Sequence, residues 1–428
     1  MPDSDSRGPA NDPMQHKLPI TPSGPVSATD SLALSFEPRE LRRRRLERTR
    51  AMLRETGMAA VVLFEPNNQR YATGSRNMFG YFLRNSTRYV YVPQEGPVIL
   101  FEYPGSAHVS MQLETIDQSR TSKVVWSSVN GRDDDSAAPF AREIADLVKQ
   151  HGGGGQRVGL DRCFHLLALA LEKEGLVVED CNQHMLHTRR IKTPEEIACL
   201  AQSMAASEGA VADVEAMVRP GVSEQDLFAQ MYQSVIAGGG EFIETRLLSS
   251  GPRTNPWFNE ASSRKVRPGE LVALDTDTIG CNGYYSDFSR TFFCGPGKPS
   301  GYQKSLYRMS YEQVQHNISI LKPGMTYREV AEAAWQIPER FYDRRYPSVI
   351  HGVGMHGETP LVAHAGDFDT YSKDGVLEPG MVVSVESYIG EVDGPEGVKL
   401  EDEVLITETG VELISRYPYS DDMLDRQI

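Results

Sequence analysis

The chain has 428 residues, well above the roughly 250–300 residues at which a single hydrophobic core stops growing, so two domains are expected. Hydrophobic residues make up 39% of the chain and charged residues 24%, a globular composition that excludes global disorder. The formal net charge of −15 disfavours binding to nucleic acids and to anionic membranes, because the phosphates of both would be repelled.

The cysteine pattern predicts a reduced, cytoplasmic compartment. The five cysteines are odd in number and widely spaced, and none belongs to a CxxC pair. This spacing favours neither a disulfide framework nor a thiolate zinc site. The sequence also contains no run of about 18 apolar residues and no signal peptide at its N-terminus. We therefore expect a soluble protein without a membrane partner.

The first half of the chain predicts a tail followed by a small α/β domain. Residues 1–36 are rich in Pro, Ser, Asp and Gly, which is typical of a flexible tail. The predicted domain, residues 37–187, opens with an amphipathic helix in the basic segment 39–50, whose charged face is expected to be solvated. The glycine-rich segment 151–156 lacks the Lys-Ser/Thr of a phosphate loop and predicts a plain loop. Other predicted elements are strands at 59–64, 89–92, 98–103 and 158–162 and a helix near 137–150.

A second domain is predicted over residues 188–428. Thr193 and Glu196, with a proline between them, match a capping box and predict a long helix that ends near Val218. Another helix is predicted over 223–237, and mixed strands and helices follow to the C-terminus. The two halves together indicate an α/β (α+β) fold class.

Two apolar segments, 271–277 and 284–293, flank the turn GCNG and predict a β-hairpin that carries Asp275, Asp277 and Asp287. A two-residue turn would set Asp287 opposite the residue between the other two aspartates. An odd or bulged loop is therefore required if Asp287 is to face either of them. Carboxylates on neighbouring strands repel unless a cation lies between them, which makes this hairpin a candidate metal site.

Three further candidate ligands lie downstream. His351 is in the segment HGVGMHGETP, and Glu386 and Glu401 lie within the apolar predicted strands 381–389 and 398–407. Carboxylates inside apolar strands are poorly explained as scattered surface acids. Oxygen donors from several strands, together with one imidazole, suit two divalent ions such as Fe, Mn, Zn or Co.

The order of these residues resembles the methionine aminopeptidase, prolidase and creatinase superfamily, which has the pita-bread fold. The resemblance rests on the pattern Asp…Asp…HGxG…Glu…Glu and on GYYSDFSRTF, LEPGMVVSVE and LEDEVLIT around it. It covers residues 190–415 closely, and residues 40–185 resemble the creatinase-like N-terminal domain. It implies a homodimer with a dinuclear metal site whose ligands are Asp275 and/or Asp277, Asp287, His351, Glu386 and Glu401.

Within the superfamily, the second domain is most similar to the dimethylsulfoniopropionate lyase branch. The similarity lies in the paired aspartates, twelve and ten residues before Asp287, in residues 239–258 and in HGVGM. It implies a small-molecule substrate, a sulfonium carboxylate, that is cleaved by β-elimination to dimethyl sulfide and acrylate.

A metal-dependent hydrolase of a small C–N bond is the alternative, of the Xaa-Pro dipeptidase, aminopeptidase P, creatinase or ectoine hydrolase type. A binding homologue without catalysis is a third possibility. Prolidase-like enzymes carry two histidines that help to bind or protonate the tetrahedral intermediate. Here the corresponding positions are Trp257 or Phe258, and Glu358, which disfavours peptide hydrolysis.

The lyase resemblance also implies a cradle for the sulfonium group. The aromatic candidates are Tyr346, Tyr371, Trp257 and Phe258, each able to attract a cation by roughly 0.5–2 kcal/mol. The guanidinium groups of Arg253 and Arg246 are candidates for clamping a substrate carboxylate.

The general base is the departure from the lyase pattern. The lyases carry an aspartate six residues after the ligand histidine, and this chain has Gly357 there. Glu358 or His356 could act from a neighbouring position, because a base needs reach and a suitable pKa rather than one residue type.

Overall fold

A computed structural model describes residues 36–124 and 133–426. The predicted tail therefore lies outside the described residues apart from residue 36. A six-stranded mixed sheet forms the centre of the first half, in the order β4-β3-β2-β1-β5-β6. Its strands are β1 (Ala60–Leu63), β2 (Tyr89–Pro93), β3 (Ile99–Glu102), β4 (Gln118–Thr121), β5 (Arg157–Leu160) and β6 (Val177–Asp180). The helices around it are α1 (Pro38–Thr56), α2 (Pro66–Thr73), α3 (Phe79–Phe82), α4 (Asp133–His151), α5 (His165–Lys173) and α6 (Asn182–Arg189).

The central strand β1 joins two cores. All four of its residues are buried, because the sheet is covered on both faces. Alternate side chains point to opposite faces, so Ala60 and Val62 pack with one cluster that includes Phe140 of α4. Val61 and Leu63 pack with a cluster that continues into the second half through residues such as Leu200. The first half is therefore docked on the second through an apolar face.

The basic segment 39–50 lies within α1, as predicted, but its charged face is only partly solvated. Arg45 is 1% exposed, and its guanidinium lies 5.6 Å from the centre of the Tyr71 ring. Arg48 donates hydrogen bonds to the carbonyl oxygens of Thr188 and Ile191 at 2.6 and 2.5 Å. The charged face is therefore solvated only in part, because Arg48 holds α1 against the segment that links the two halves.

The second half contains three antiparallel sheets with the orders β11-β10-β7, β12-β9-β8 and β14-β13-β15-β16-β17. The short strands are β7 (Phe242–Ile243), β8 (Leu248–Ser250), β9 (Leu271–Asp275), β10 (Thr278–Ile279), β11 (Tyr285–Ser286) and β12 (Ser289–Phe293). The larger sheet contains β13 (Ser348–Val353), β14 (Gly357–Ala363), β15 (Val382–Gly390), β16 (Gly397–Ile406) and β17 (Val411–Leu413). The helices are α7 (Pro194–Met217), α8 (Glu224–Ala237), α9 (Gly301–Ile320), α10 (Tyr327–Ala333), α11 (Glu339–Tyr342), α12 (Phe368–Tyr371) and α13 (Asp421–Leu424).

Side-chain hydrogen bonds fix the start of α7 and join two of the sheets. The Thr193 and Glu196 side chains form the predicted capping box at the start of α7. Thr291 of β12 exchanges hydrogen bonds with the backbone of Lys399 in β16, at 2.8 and 3.1 Å. These bonds hold the small β8-β9-β12 sheet against the larger sheet. Among the described residues, the structure contains no helix that is both long and apolar enough to cross a membrane.

The predicted hairpin is present, and its loop has the odd length that the carboxylates require. Asp275 pairs with Ser289, and Thr278 pairs with Ser286. Both pairs share one register, with five residues between Ile279 and Tyr285. In that register Asp277 and Asp287 occupy facing positions at the break between the two pairs of strands.

Candidate metal centre

The six residues predicted as metal ligands converge between the hairpin and the larger sheet. Glu386 of β15 pairs directly with Glu401 of β16, and His351 lies on the neighbouring strand β13. His351 Nε2 lies 3.3 Å from Asp287 Oδ2, 3.3 Å from Glu386 Oε1 and 3.8 Å from Glu401 Oε1. The His351 imidazole therefore faces three carboxylates, one on β15, one on β16 and one between β11 and β12.

Two groups of these residues can each surround an ion. One group is Asp287, His351 and Glu401, and the other is Asp275, Asp277 and Asp287. Within each group the ligand atoms lie within 4.8 Å of one another. Asp287 belongs to both groups, which is the arrangement expected of a carboxylate between two adjacent ions.

The donor set fits two divalent cations. Glu386 Oε1 and Glu401 Oε1 are buried and have no hydrogen-bond partner among the described residues. Burial and the neighbouring acids raise the pKa of Asp287 and of Glu401 well above the usual range of carboxyl groups. Buried carboxylates at this density are costly unless cations lie between them, so hard divalent ions match both the free oxygens and the charge.

Lys399 lies inside the cluster and was missed by the sequence prediction. Its Nζ donates to Glu386 Oε2 and Glu401 Oε2, each at 2.6 Å, and lies 3.5 Å from Asp275 Oδ2. It thus occupies one oxygen of each glutamate and leaves the other oxygen free. The signal was available, because Lys399, Glu401 and Glu403 are spaced two residues apart in β16 and so share one face.

Asp277 is held by two hydroxyl groups. Tyr285 donates a hydrogen bond to Oδ1 of Asp277, and Thr245 donates to Oδ2. Burial, reinforced by the charge of Asp275, raises the pKa of Asp277 to about 7. Neither hydroxyl was predicted as a site residue, although Tyr285 lies within the GYYSDFSRTF motif.

Three of the four predicted aromatic residues form a wall beside the carboxylates. Lys399 Nζ lies 4.6 Å from the centre of the Tyr346 ring and 5.9 Å from that of Trp257. The Phe258 ring lies 5.6 Å from Tyr346 and is 55% exposed, so it lies at the edge of the wall. Tyr371, on α12, is 67% exposed and lies apart from these ring contacts. The Lys399 ammonium therefore lies over the rings of both Tyr346 and Trp257.

The two arginines predicted to bind substrate have other partners. Arg253 forms an ion pair with the fully buried Glu224 and donates to the carbonyl oxygen of Glu260 at 2.8 Å. Arg246 donates to the carbonyl oxygen of Ala261 at 3.1 Å and lies over the Phe228 ring. We therefore correct their role from substrate clamps to the support of the segment around residues 250–262.

The prediction of Glu358 as a substitute base was wrong. Its side chain is fully buried, with Oε1 3.2 Å from Arg189 Nε and Oε2 3.4 Å from Lys192 Nζ. Burial raises the pKa of Glu358, but the two cations outweigh it and lower that pKa, which makes this carboxylate a weak base. His356 Nε2 lies 3.0 Å from Arg189 Nη2, so it belongs to the same cluster and is also removed as the base.

Gly357 itself lies beside one proposed metal ligand, His351. A Cβ on this residue would lie 3.9 Å from His351 Nδ1, an ordinary van der Waals distance, and apart from its chain neighbours no other heavy atom of the described residues would lie within 4 Å. The residue is exposed at the start of β14. A side chain at this position would therefore extend beside the candidate metal centre without displacing other groups.

The Glu358→Gln substitution tests whether Glu358 stabilises the fold rather than acting as the base. We expect it to lower the free energy of unfolding by about 3 kcal/mol, because two buried cations lose their counter-charge. Metal content and turnover per folded molecule should stay unchanged, as measured by metal analysis and urea denaturation. Glu378→Gln, which removes a half-exposed partner of Arg190, is the control and should have little effect on stability. Loss of turnover with intact stability would restore Glu358 as the base.

Comparison with known proteins places this geometry in a family. Residues 198–408 match Metallopeptidase family M24, and residues 45–183 match the Creatinase/Prolidase N-terminal domain. Dimethylsulfoniopropionate lyase DddP from Roseovarius nubinhibens is 36% identical over 405 residues, which cover 93% of this chain and 91% of the relative. The chain belongs to metallopeptidase family M24. DddP from Roseobacter denitrificans is 34% identical and covers 85% of this M24 chain and 83% of its own.

Solved structures of the family share the fold of this M24 protein. The Xaa-Pro dipeptidase from Bacillus anthracis aligns with a TM-score of 0.70 at 23% identity and covers 88% of this chain and 98% of its own. The prolidase from Pyrococcus furiosus aligns with a TM-score of 0.67 at 21% identity, covering 86% and 99%. The pita-bread fold and the creatinase-like N-terminal domain predicted from the sequence are thus confirmed.

Proposed function

We propose that the protein is a metal-dependent lyase that cleaves dimethylsulfoniopropionate, or a close sulfonium carboxylate, to dimethyl sulfide and acrylate. The observation that carries the proposal is the aromatic wall of Tyr346 and Trp257 beside the buried carboxylates. Aromatic rings of this kind attract cations, and the Lys399 ammonium lies against both of them. The two relatives named as dimethylsulfoniopropionate lyases support the same substrate class.

The proposed metal ligands are Asp275, Asp277, Asp287, His351, Glu386 and Glu401. When bound, two divalent ions supply the positive charge that holds the substrate carboxylate and acidifies its α-carbon. We further propose Fe, Mn, Zn or Co as the metals and a cytoplasmic homodimer as the working form. The five cysteines, all unpaired, are consistent with that reducing compartment.

The residues of the chain orient the substrate for elimination. Tyr346 and Trp257 hold the sulfonium end, while Lys399 fixes the two glutamates on either side of it. Solvent water or hydroxide accepts the α-proton, the C–H electron pair forms the carbon–carbon double bond, and the carbon–sulfur bond breaks with its electron pair kept by the sulfur of dimethyl sulfide. Because Gly357 offers no side-chain base at the position beside His351, the reaction should be slow, since a positioned base typically contributes about 10²–10⁴-fold.

Hydrolysis of a small C–N bond is the second candidate function. It is supported by the shared fold with the Xaa-Pro dipeptidase and prolidase structures. It predicts proline release from a dipeptide such as Gly-Pro and no preference for a cation at the aromatic wall. Trp257 or Phe258 at one position and Glu358 at the other, where those enzymes carry histidines, weigh against it.

The affinity for a non-cleavable cation tests the proposed substrate class. Metal-loaded protein should bind 3-trimethylammoniopropionate at least about fivefold more tightly than 4,4-dimethylpentanoate, which has an uncharged tert-butyl group in place of the cation, because two ring faces together contribute roughly 1–4 kcal/mol. The Tyr346→Leu variant should lose most of this preference, as measured by calorimetry. Tyr371→Leu, which changes an exposed tyrosine outside the wall, should retain it. Equal affinities in the wild type would contradict the proposal.

A further inference from the structure

Two of the five thiols meet at the turn that closes the ligand hairpin. Cys281 lies in this turn, between β10 and β11, and Cys199 lies on α7. Asn282 Nδ2 is 3.4 Å from the Cys281 sulfur and 3.6 Å from the Cys199 sulfur, so a single amide contacts both. The two sulfurs are therefore neighbours, although 82 positions separate them in the sequence.

The backbones next to the two cysteines are also in close contact. Gly280 precedes Cys281, and a Cβ on Gly280 would lie only 2.8 Å from the Cα of Ser203. Ser203 is one helical turn after Cys199 and donates a hydrogen bond to its carbonyl oxygen at 2.9 Å. The turn and this face of α7 are thus in direct contact at the level of the two cysteines.

The surroundings favour reaction at Cys281. The hydrogen bond from Cys199 lowers the pKa of the Cys281 thiol, and Arg70 acts in the same direction against the effect of burial. The guanidinium of Arg70 lies against the turn, since a Cβ on Gly283 would meet its Nη1 at 2.5 Å. Cys281 is partly exposed, whereas Cys199 is buried and its pKa is raised by that burial. A partly exposed thiol near a cation, with a second thiol behind it, is typical of a redox-sensitive pair.

We propose that Cys199 and Cys281 form a reversible disulfide when the protein meets a hydroperoxide. The Cys281 sulfur attacks one peroxide oxygen, the O–O bond breaks, and a sulfenic acid and water form with hydrogen peroxide as oxidant. The Cys199 sulfur then attacks the Cys281 sulfur, the S–S bond forms, and the S–O bond breaks with release of a second water. Two thiols lose two electrons and two protons in total, and a dithiol reductant restores them.

The proposed disulfide would lie on the hairpin that carries the candidate metal ligands. The turn joins β10 to β11. Asp277 directly precedes β10, and Asp287 directly follows β11. A disulfide from Cys281 to α7 would fix this turn to the helix. This inference does not depend on the proposed reaction, because it concerns the thiols and not the substrate.

Peptide mapping of the full-length protein tests the pair. The reduced protein is treated with a few equivalents of hydrogen peroxide, and the remaining thiols are blocked with N-ethylmaleimide before digestion. We expect a linked peptide containing Cys199 and Cys281, a mass lower by two hydrogen atoms before blocking, and full reversal by dithiothreitol. The exposed Cys163 is the internal control and should stay outside any intramolecular link.

Cysteine variants separate the oxidation of Cys281 from the formation of the disulfide. Cys199→Ser should leave Cys281 without a partner, so that peroxide carries it on to the sulfinic acid with a gain of two oxygen atoms. Cys294→Ser, which changes another buried cysteine, should still give the linked peptide. The proposal is overturned if Cys199 and Cys281 both remain open to blocking while Cys163 is oxidised, or if wild-type Cys281 becomes sulfinic without a link. The wild-type mapping decides the matter even if a variant fails to fold.

Discussion

Gly357→Asp is expected to raise the rate of dimethyl sulfide release from dimethylsulfoniopropionate by about 10²-fold or more, because it supplies a positioned base. The space for the side chain exists, since a Cβ at Gly357 would lie 3.9 Å from His351 Nδ1 and would clash with none of the residues that the structure describes. The backbone of Gly357 is outside the left-handed region, so an aspartate adds no strain there. The measurement is kcat for sulfide release by metal-loaded wild type and variant, with metal content determined for both.

Gly357→Asn is the matched control. Asparagine has nearly the shape of aspartate but cannot accept the α-proton, so its kcat should remain at the wild-type level. An equal gain in both variants would indicate a packing effect on β14. No gain in the aspartate variant would mean that the pocket serves a substrate other than a sulfonium carboxylate.

Asp287→Asn is expected to remove both metals and to lower turnover by about 10³-fold or more. The reason is its position, because Asp287 belongs to both candidate ion groups and is 4% exposed. An amide oxygen carries no charge, so the affinity for divalent ions falls for both groups. Metal per chain, measured by mass spectrometry after dialysis, should drop from about two to near zero.

The same substitution should leave the metal-free protein folded. Removing one of several mutually repelling buried carboxylates is neutral or stabilising when its neighbours keep their partners. Thermal unfolding of the metal-free variant should therefore match or exceed that of the wild type. Asp367→Asn, which breaks a partly exposed pair with Arg345, is the control and should keep its metals. A variant at Asp287 that retains metal and activity would remove the site as described.

Much of the candidate site follows from local sequence patterns. The position of Glu386 and Glu401 inside two apolar strands predicted two inward carboxylates, and the structure pairs them directly. The demand for an odd hairpin loop followed from strand geometry, and five residues meet it. The capping box at Thr193 is likewise local. These features depend only on residues that are near in sequence or fixed by strand period.

The misassigned residues depend on contacts that no local pattern encodes. Glu358 looked available as a base, but Arg189 and Lys192, on the segment between the two halves, enclose it. Arg253 looked like a substrate clamp, but it binds a buried carboxylate on α8. Charged side chains are attracted to whichever counter-charge the fold brings near, and burial strengthens that choice. Only the tertiary structure identifies the partner.

Product analysis of the metal-loaded wild type tests the central claim most directly. The protein is incubated in parallel with dimethylsulfoniopropionate and with Gly-Pro, while dimethyl sulfide, acrylate and proline are measured. We expect dimethyl sulfide and acrylate in equal amounts, at a slow rate that depends on added metal, and no proline. Release of proline by a fully metal-loaded protein that forms no dimethyl sulfide would contradict the account and assign the site to C–N hydrolysis.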